Sequence, residues 1–380
     1  MGNLILLDGF VHWDTNDPAV KWDTVNNYNS MEVSAAYGRN GSGMSLYTGG
    51  TSVGHQLETS YPGSAGAAAM LEKYFPSGYG PVTGVNIGFA IKLNDVELGY
   101  SIPLVAMIDR TESDTSVFTQ YYLTQVSLLL TPQQQLVFCT GNHLDIPPLL
   151  GSNYSPPLKR GVFSFIEIEF QCGNPGSVFM SMDGRVVVSD SINTKPTGNP
   201  FFSGVRFFHH LSLSPNYVRN YHIDDVYVVI NGGARFNDSV IETAMPTSNG
   251  AVRQWTPSDG GTLNYDMVNE LSPNDDVDYN MSSVAGHEDT YVYPPLANTS
   301  GTVHGVTINA VAINAGPFPG SIMMSGVYRE GGVSYLSDQQ QIGTIIYHAN
   351  IFGFSTNPAT GNRFSIAEVN AGELGIRRIT

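Results

Sequence analysis

The stretch Phe163-Ser164-Phe165-Ile166-Glu167-Ile168-Glu169-Phe170-Gln171 decides the fold class, because its side chains sort onto two faces. Successive strand residues point to opposite sides, so Phe163, Phe165, Glu167, Glu169 and Gln171 share one face while Ser164, Ile166, Ile168 and Phe170 share the other. A helix would scatter these residues, whereas a strand separates them. Just downstream, Asp183-Gly184 divides the runs Ser177 to Met182 and Arg185 to Val188, and Asp-Gly between such runs is a strong hairpin signal. Working outward, the runs Val85 to Lys92, Ile102 to Ile108, Ser116 to Leu130, Gln135 to Cys139, Val205 to Phe208 and Tyr221 to Ile230 are β-branched or aromatic and bounded by Gly, Pro or Asn. The chain reads as an all-β protein.

Composition agrees. Of 380 residues, 41 are Gly and 22 are Pro, so turns are plentiful; 41% are hydrophobic and only 13% are charged. That excludes a disordered chain, which needs low hydrophobicity and high charge density. It also excludes a long-helix protein rich in Ala, Glu, Lys, Leu and Arg. Helices are expected only at Ala67 to Phe75 and Tyr265 to Leu271, each about two turns. The length suffices for one large sandwich and a second domain.

The net charge is −16, and no run of Lys or Arg occurs anywhere. A nucleic-acid partner is therefore not expected, because affinity for a phosphate backbone rests on clustered cations. The apolar run Leu4 to Leu7 is too short for a signal sequence or a membrane span, so no membrane insertion is expected and assembly is placed in the cytoplasm. Cys139 and Cys172, both in strand-like runs, read as reduced core thiols.

Beyond Asn231-Gly232-Gly233 the character changes. From Arg235 to Tyr293 strand signals thin out, and Asp238, Glu242, Asp259, Asp266, Glu270, Asp275, Asp276, Asp278, Glu288 and Asp289 face only Arg235 and Arg253. This reads as an extended acidic connector docked on a surface. Apolar runs return at Gly305 to Ala315, Ser321 to Tyr328, Gln341 to Tyr347 and Phe364 to Val369. The expected organisation is a sandwich over 1–232, an acidic linker or arm over 233–302 and a small C-terminal β domain over 303–380.

Three stretches in order resemble the virion proteins of tailed bacteriophages, described as tail, tail-fibre or minor structural proteins, whose N-terminal domain is a concanavalin A-like lectin/glucanase sandwich. The first is Leu7-Asp8-Gly9-Phe10 with Lys21-Trp22, then Gly38-Arg39-Asn40-Gly41-Ser42-Gly43. The second is Tyr221-His222-Ile223-Asp224-Asp225-Val226-Tyr227-Val228. The third runs through Val240-Ile241-Glu242-Thr243, Gln254-Trp255-Thr256-Pro257, Asn264-Tyr265 and Val268-Asn269-Glu270 to Asp275–Tyr279. The resemblance implies an antiparallel jelly-roll sandwich and a structural role on the particle, in the capsid, neck, tail or fibre.

Glucanases of that fold carry Glu-x-Asp-x-x-Glu on one strand, one carboxylate as nucleophile and one as acid/base. The nearest match is Glu167-Ile168-Glu169-Phe170-Gln171-Cys172, where a thiol stands in the acid/base position, so Glu167 and Glu169 read as solvent-facing. No catalytic residue and no enzymatic activity are expected. Asp224 and Asp225 point apart along a strand, so one of them is expected to bond a neighbouring loop rather than chelate an ion. Phe207-Phe208-His209-His210 with His222 reads as core or surface histidines. No cofactor is expected; the alternative is Ca²⁺ on the oxygens of Asp275, Asp276 and Asp278, although the Gly and distal Glu of an EF-hand loop are missing. Tyr61, Tyr74, Tyr79, Tyr154 and Tyr217 lie in Pro-, Gly- or Asn-rich surroundings, where a flat ring serves either sugar stacking or a subunit contact. The expected function is a structural virion protein contacting other virion proteins or copies of itself. The alternative is an adhesin for host-surface glycans, and the remote one a glycan hydrolase.

Overall fold

The computed structural model describes residues 3–8, 10, 22–26, 31–34, 39, 45–48, 69–93, 101–113, 122–141, 149–150, 153–209, 221–233, 235–270, 274, 276–316, 322–343 and 347–380. The chain is nearly all β and divides into two compact units, one running to Ile241 and the other from Glu242 to Thr380, with Leu4–Leu7 counted in the second.

The first unit is an antiparallel sandwich. One sheet runs Arg185–Ile192, Gly176–Met182, Phe163–Gln171, Gly84–Leu93, Tyr221–Ile230, Ser45–Thr48, Met31–Ser34. The other runs Leu149–Leu150, Leu136–Thr140, Tyr122–Leu130, Ile102–Ser113, Gly204–His209, Ala69–Tyr74, Thr24–Asn26. Aromatic edges join the sheets: Phe89 meets Phe207 at 5.7 Å and Phe138 meets Phe170 at 5.4 Å between ring centroids. The hairpin expected at Asp183-Gly184 is present, both residues at positive φ (50° and 76°), as a turn matched to strand twist requires. Cys139 is buried and Cys172 half-buried, and neither is in a disulfide.

Two expected helices do not form. Ala69–Tyr74 is a strand between Gly204–His209 and Thr24–Asn26. Sheet pairing on both edges outweighs the helical propensity of Met70-Leu71-Glu72-Lys73. At Asn264–Met267 a single 3₁₀ turn stands where a helix was expected.

The second unit holds a five-stranded sheet in the order Ser248–Arg253, Glu288–Val292, Glu373–Arg378, Ile322–Glu330, Val333–Ile342. A two-stranded ribbon, Val306–Ala312 with His348–Phe354, contributes to its core of Ile308, Met324, Tyr328, Ile342, Phe352, Phe354 and Phe364. Within the stretch 233–302, expected as an extended acidic linker or arm, Ser248–Arg253 and Glu288–Val292 are strands of this sheet. Glu288-Asp289-Thr290-Tyr291 is a buried inner strand. Hydrophobic periodicity does not reveal it because its charges are satisfied inside: Arg377 Nε donates to Glu288 Oε2 at 2.7 Å and Ser334 Oγ to Glu288 Oε1 at 2.6 Å.

Candidate functional site

Glu167 is not solvent-facing. It is 2% exposed and accepts hydrogen bonds from the Tyr227 hydroxyl, from Ser181 Oγ at 3.2 Å and from the Asn237 amide at 2.8 Å. The Tyr227 ring lies across Gly88, where a Cβ would come within 2.0 Å of it, so this crossing requires glycine. Phe236 packs on the other side at 4.5 Å and Phe165 stacks at 6.4 Å. Burial and the Glu167 carboxylate push the Tyr227 pKa far up, keeping the hydroxyl a donor. The segment following the sandwich thus covers this face, with Arg235 over the Phe179 ring at 3.8 Å. Glu169 is half-buried and accepts from Gln171 Nε2 at 3.4 Å. The strand anchors chain rather than presenting two carboxylates across a groove.

Asp224 and Asp225 do bond neighbouring loops, both of them. A bulge with Asp225 at φ 52° interrupts the pairing between Asp224 and Tyr227. The Arg39 amide donates to Asp224 Oδ2 at 2.9 Å, the Arg39 guanidinium to Asp225 Oδ2 at 3.1 Å, and the Ile241 amide to Asp225 Oδ1 at 2.7 Å. Arg39 also reaches Asp238 and the Ser239 carbonyl. Asp8 accepts from the Phe10 amide at 2.8 Å and from Trp22 Nε1 at 2.9 Å. Burial first, then the neighbouring Asp225 charge, raises the Asp224 pKa to about 7.

A second node sits on Asp289 in the other unit. Its carboxylate accepts from the amides of Gln254 (2.7 Å) and Trp255 (2.8 Å), from Asn264 Nδ2 (2.6 Å) and from the Tyr291 hydroxyl (3.3 Å). Buried carboxylates thus anchor chain in both units.

Among the described residues no group of three or more His, Cys, Asp or Glu is arranged to hold a metal ion. Asp276 Oδ1 accepts from the Tyr347 hydroxyl at 2.6 Å, and Asp278 lies against Glu270. Asp275 and the His209 and His210 side chains lie outside the described residues. His222 is fully buried, and burial with nearby Lys92 lowers its pKa to about 4.

Of the tyrosines, Tyr61 and Tyr217 lie outside the described residues. Tyr154 is 46% exposed, and Tyr79 closes a 3₁₀ turn whose carbonyl accepts from Asn231 Nδ2 at 3.1 Å. Tyr74 ends a strand rather than lying in a loop, and it is the one that joins a cluster.

That cluster lies on the outer face of the second sheet. Phe207 points between the sheets, towards Phe89 and Trp22, so its strand neighbour Arg206 points outward. Register places Arg206 beside Glu72 and Ala106, and Ala106 beside Ser127. Arg206 Nε donates to Glu72 Oε1 at 2.6 Å, with both side chains 3% exposed. The Tyr74 hydroxyl donates to Glu72 Oε2 at 2.7 Å, and the exposed Arg110 guanidinium lies 3.8 Å from the Tyr74 ring centroid. Between them Gly204 keeps the floor flat; a Cβ there would sit 2.7 Å from the Lys73 carbonyl oxygen. The Ser127 hydroxyl is buried with no hydrogen-bond partner among the described residues. Glu72, Arg110, Ser127 and Arg206 were not singled out from sequence. The available signal was a lone charge inside an apolar strand run, Gly204-Val205-Arg206-Phe207-Phe208.

No protein-family model matches the chain, and no curated protein matches it. Solved structures do. An endo-β-1,4-glucuronan lyase from the fungus Trichoderma reesei matches at 15% identity over 55% of this chain and 90% of its own, with a TM-score of 0.39. An alginate lyase from Chlorella virus matches at 12% identity over 60% of this chain and 100% of its own, TM-score 0.37. A carbohydrate esterase from the Shiga toxin-encoding bacteriophage phi24B matches at 12% identity over 61% and 100%, TM-score 0.39. At these identities the likeness concerns the fold alone. The expectation of a chain without enzymatic activity is withdrawn, because structures named as lyases and as an esterase are among those the chain matches.

Proposed function

We propose that this protein binds carbohydrate on the outer face of the second sheet of its sandwich. The observation that carries the reading is the Tyr74–Arg110 pair. A flat ring and a planar guanidinium stand together at the exposed end of the buried Glu72–Arg206 ion pair. A sugar offers an apolar face for the ring and hydroxyls for guanidinium donors. The buried pair fixes Tyr74, since Glu72 holds its hydroxyl and Arg206 holds Glu72.

The setting we propose is the surface of a tailed-phage particle, with host-surface glycans as ligand and other virion proteins as neighbours. What favours it is that the motif stretches resembling such proteins converge: Asp8, Trp22, Arg39, Asp224, Asp225 and Ile241 form linked carboxylate anchors in the sandwich.

Glycan-array screening followed by calorimetry tests the binding reading. Tyr74→Ala and Arg110→Ala are each expected to weaken the best glycan roughly tenfold or more. Turnover of that glycan is followed in the same samples. Absence of binding to any glycan, or affinity unchanged in both variants, refutes the proposal.

A further inference from the structure

The outer face of the first sheet is covered only in part. Phe170 meets Phe138 of the opposite sheet, so its strand neighbour Glu169 points outward. Register sets Glu169 between Asn86 and Phe179, and Phe179 beside Ser189, so these four share that face. In the next row Gln171 stands opposite Ser177 and reaches over Gly84, where a Cβ would come within 2.6 Å of Gln171 Nε2. Phe236 and Asn237 lie on Tyr227 and Glu167. Ser177 and Ser189, by contrast, are exposed, and Glu169, Gln171 and Phe179 are only half-buried.

A fixed guanidinium borders this open polar ledge. Asn86 Nδ2 donates to the Gly233 carbonyl at 3.0 Å and the Asn237 amide donates to Glu167 at 2.8 Å, which pins the backbone on both sides of Arg235. Arg235 itself is exposed, and its guanidinium carbon lies 3.8 Å from the Phe179 ring centroid. Stacking sets the plane of the guanidinium and leaves its N–H donors unused. Among the described residues Arg235 has neither a hydrogen-bond acceptor nor an ion pair. Glu169 is likewise in no ion pair there, and the hydrogen bond it accepts from Gln171 Nε2 is long, at 3.4 Å. A carboxylate has room for about four hydrogen bonds. Both groups are therefore held against the sheet with most of their bonding capacity open.

We propose that Glu169 and Arg235, with the Ser177 and Ser189 hydroxyls, form a second saccharide site, on the opposite face of the sandwich from Tyr74 and Arg110, and that it takes an uncharged glycan. An uncharged sugar suits both groups: its hydroxyls donate to the Glu169 carboxylate, and its hydroxyl and ring oxygens accept from Arg235. A uronate or sulfated sugar gains at Arg235 but meets a like charge at Glu169, the cross-strand neighbour of the Phe179 ring beneath that guanidinium. The site does not rest on the Tyr74–Arg110 reading, because the two lie on different sheets and each can fail alone.

The test uses the full chain carrying Tyr74→Ala/Arg110→Ala, which removes the other face. The probes are cellohexaose, maltohexaose, xylohexaose and mannohexaose, with hexagalacturonate as the acidic counterpart. Calorimetry is expected to show an uncharged hexasaccharide bound in this background, roughly tenfold or more tighter than hexagalacturonate. Adding Glu169→Ala or Arg235→Ala should each weaken it roughly tenfold or more, as loss of a hydrogen bond to a charged group does. The control Lys159→Ala, at an exposed cation elsewhere on the unit, should leave it unchanged. Hydrogen exchange in Gly176–Met182 and Arg185–Ile192 should slow when the sugar binds. No binding of any uncharged probe in this background, affinity indifferent to both Glu169→Ala and Arg235→Ala, or hexagalacturonate as the tighter ligand overturns the inference. Parent binding that Tyr74→Ala/Arg110→Ala abolishes overturns it too and leaves the first site standing. Parent affinity that Tyr74→Ala/Arg110→Ala leaves unchanged and Arg235→Ala removes supports this site and refutes the one at Tyr74.

Discussion

Breaking the Glu72–Arg206 pair one side at a time is the sharpest test of how the proposed glycan face is held. Both side chains are 3% exposed, and two guanidinium nitrogens converge on Glu72 Oε1 while the Tyr74 hydroxyl holds Oε2. Arg206→Met removes the charge partner and leaves the buried carboxylate with the Tyr74 hydroxyl. Removing one member of a buried pair costs about 3–5 kcal/mol, because desolvation of the survivor is no longer offset. Glu72→Leu has the same expected cost, for it strands the guanidinium. The double variant Glu72→Leu/Arg206→Met should lie within about 1 kcal/mol of the parent, since replacing both charges by apolar groups is often neutral or stabilising. The coupling in the cycle is then at least about 5 kcal/mol. Hydrogen exchange of the Ala69–Tyr74 and Gly204–His209 amides reads this locally: protection should fall roughly 10²- to 10³-fold in each single variant and return in the double. Single variants that cost less than about 1 kcal/mol, or a double that costs the sum of both, would show that the pair does not hold this face.

Two further outcomes are expected. Tyr227→Phe takes a donor from the buried Glu167 carboxylate; about 1.5–3 kcal/mol should be lost and the Asn237 amide should exchange faster, and unchanged protection there would count against the anchoring role. Acid should act on the sandwich through two opposed groups. His222, at about 4 when folded against 6.5 unfolded, is favoured neutral by the fold, so its contribution is lost as pH falls from 6.5 towards 4. Asp224, at about 7 against 3.8, is disfavoured as a carboxylate, so its ionisation destabilises above about 7 and the penalty is relieved over the same fall in pH. Asp224→Asn removes the compensating group, and thermal melts should then show a steeper loss of stability on acidification than in the parent; an unchanged slope refutes the assignment.

How much was legible in advance differs by element. Asp183-Gly184 and the alternation at 163–171 act through neighbours in sequence, and the hairpin and strand form where expected. The same alternation misplaced Glu167, because which face of a strand meets water depends on what covers it. Phe236 and Asn237, some seventy positions further along, provide that cover. Ala69–Tyr74 reads as a helix when taken alone and becomes a strand only because Gly204–His209 and Thr24–Asn26 flank it. Glu288–Val292 escaped notice for a related reason: a strand of buried polar side chains has no apolar period, and its partners Arg377, Ser334, Gln254 and Asn264 are distant in sequence.

By itself, then, the sequence determined the all-β class, the hairpin at Asp183-Gly184, the absence of any cationic run and the acidic excess after the sandwich. These follow from side-chain chemistry, local backbone preference and counting, which need no distant contact. Tertiary structure alone decided that Asp224 and Asp225 both bond loops, that Asp289 is an anchor, that Glu167 is sealed, and that Glu72, Tyr74, Arg110 and Arg206 stand together. The last cluster joins three strands separated by up to 134 positions, and only sheet register aligns them.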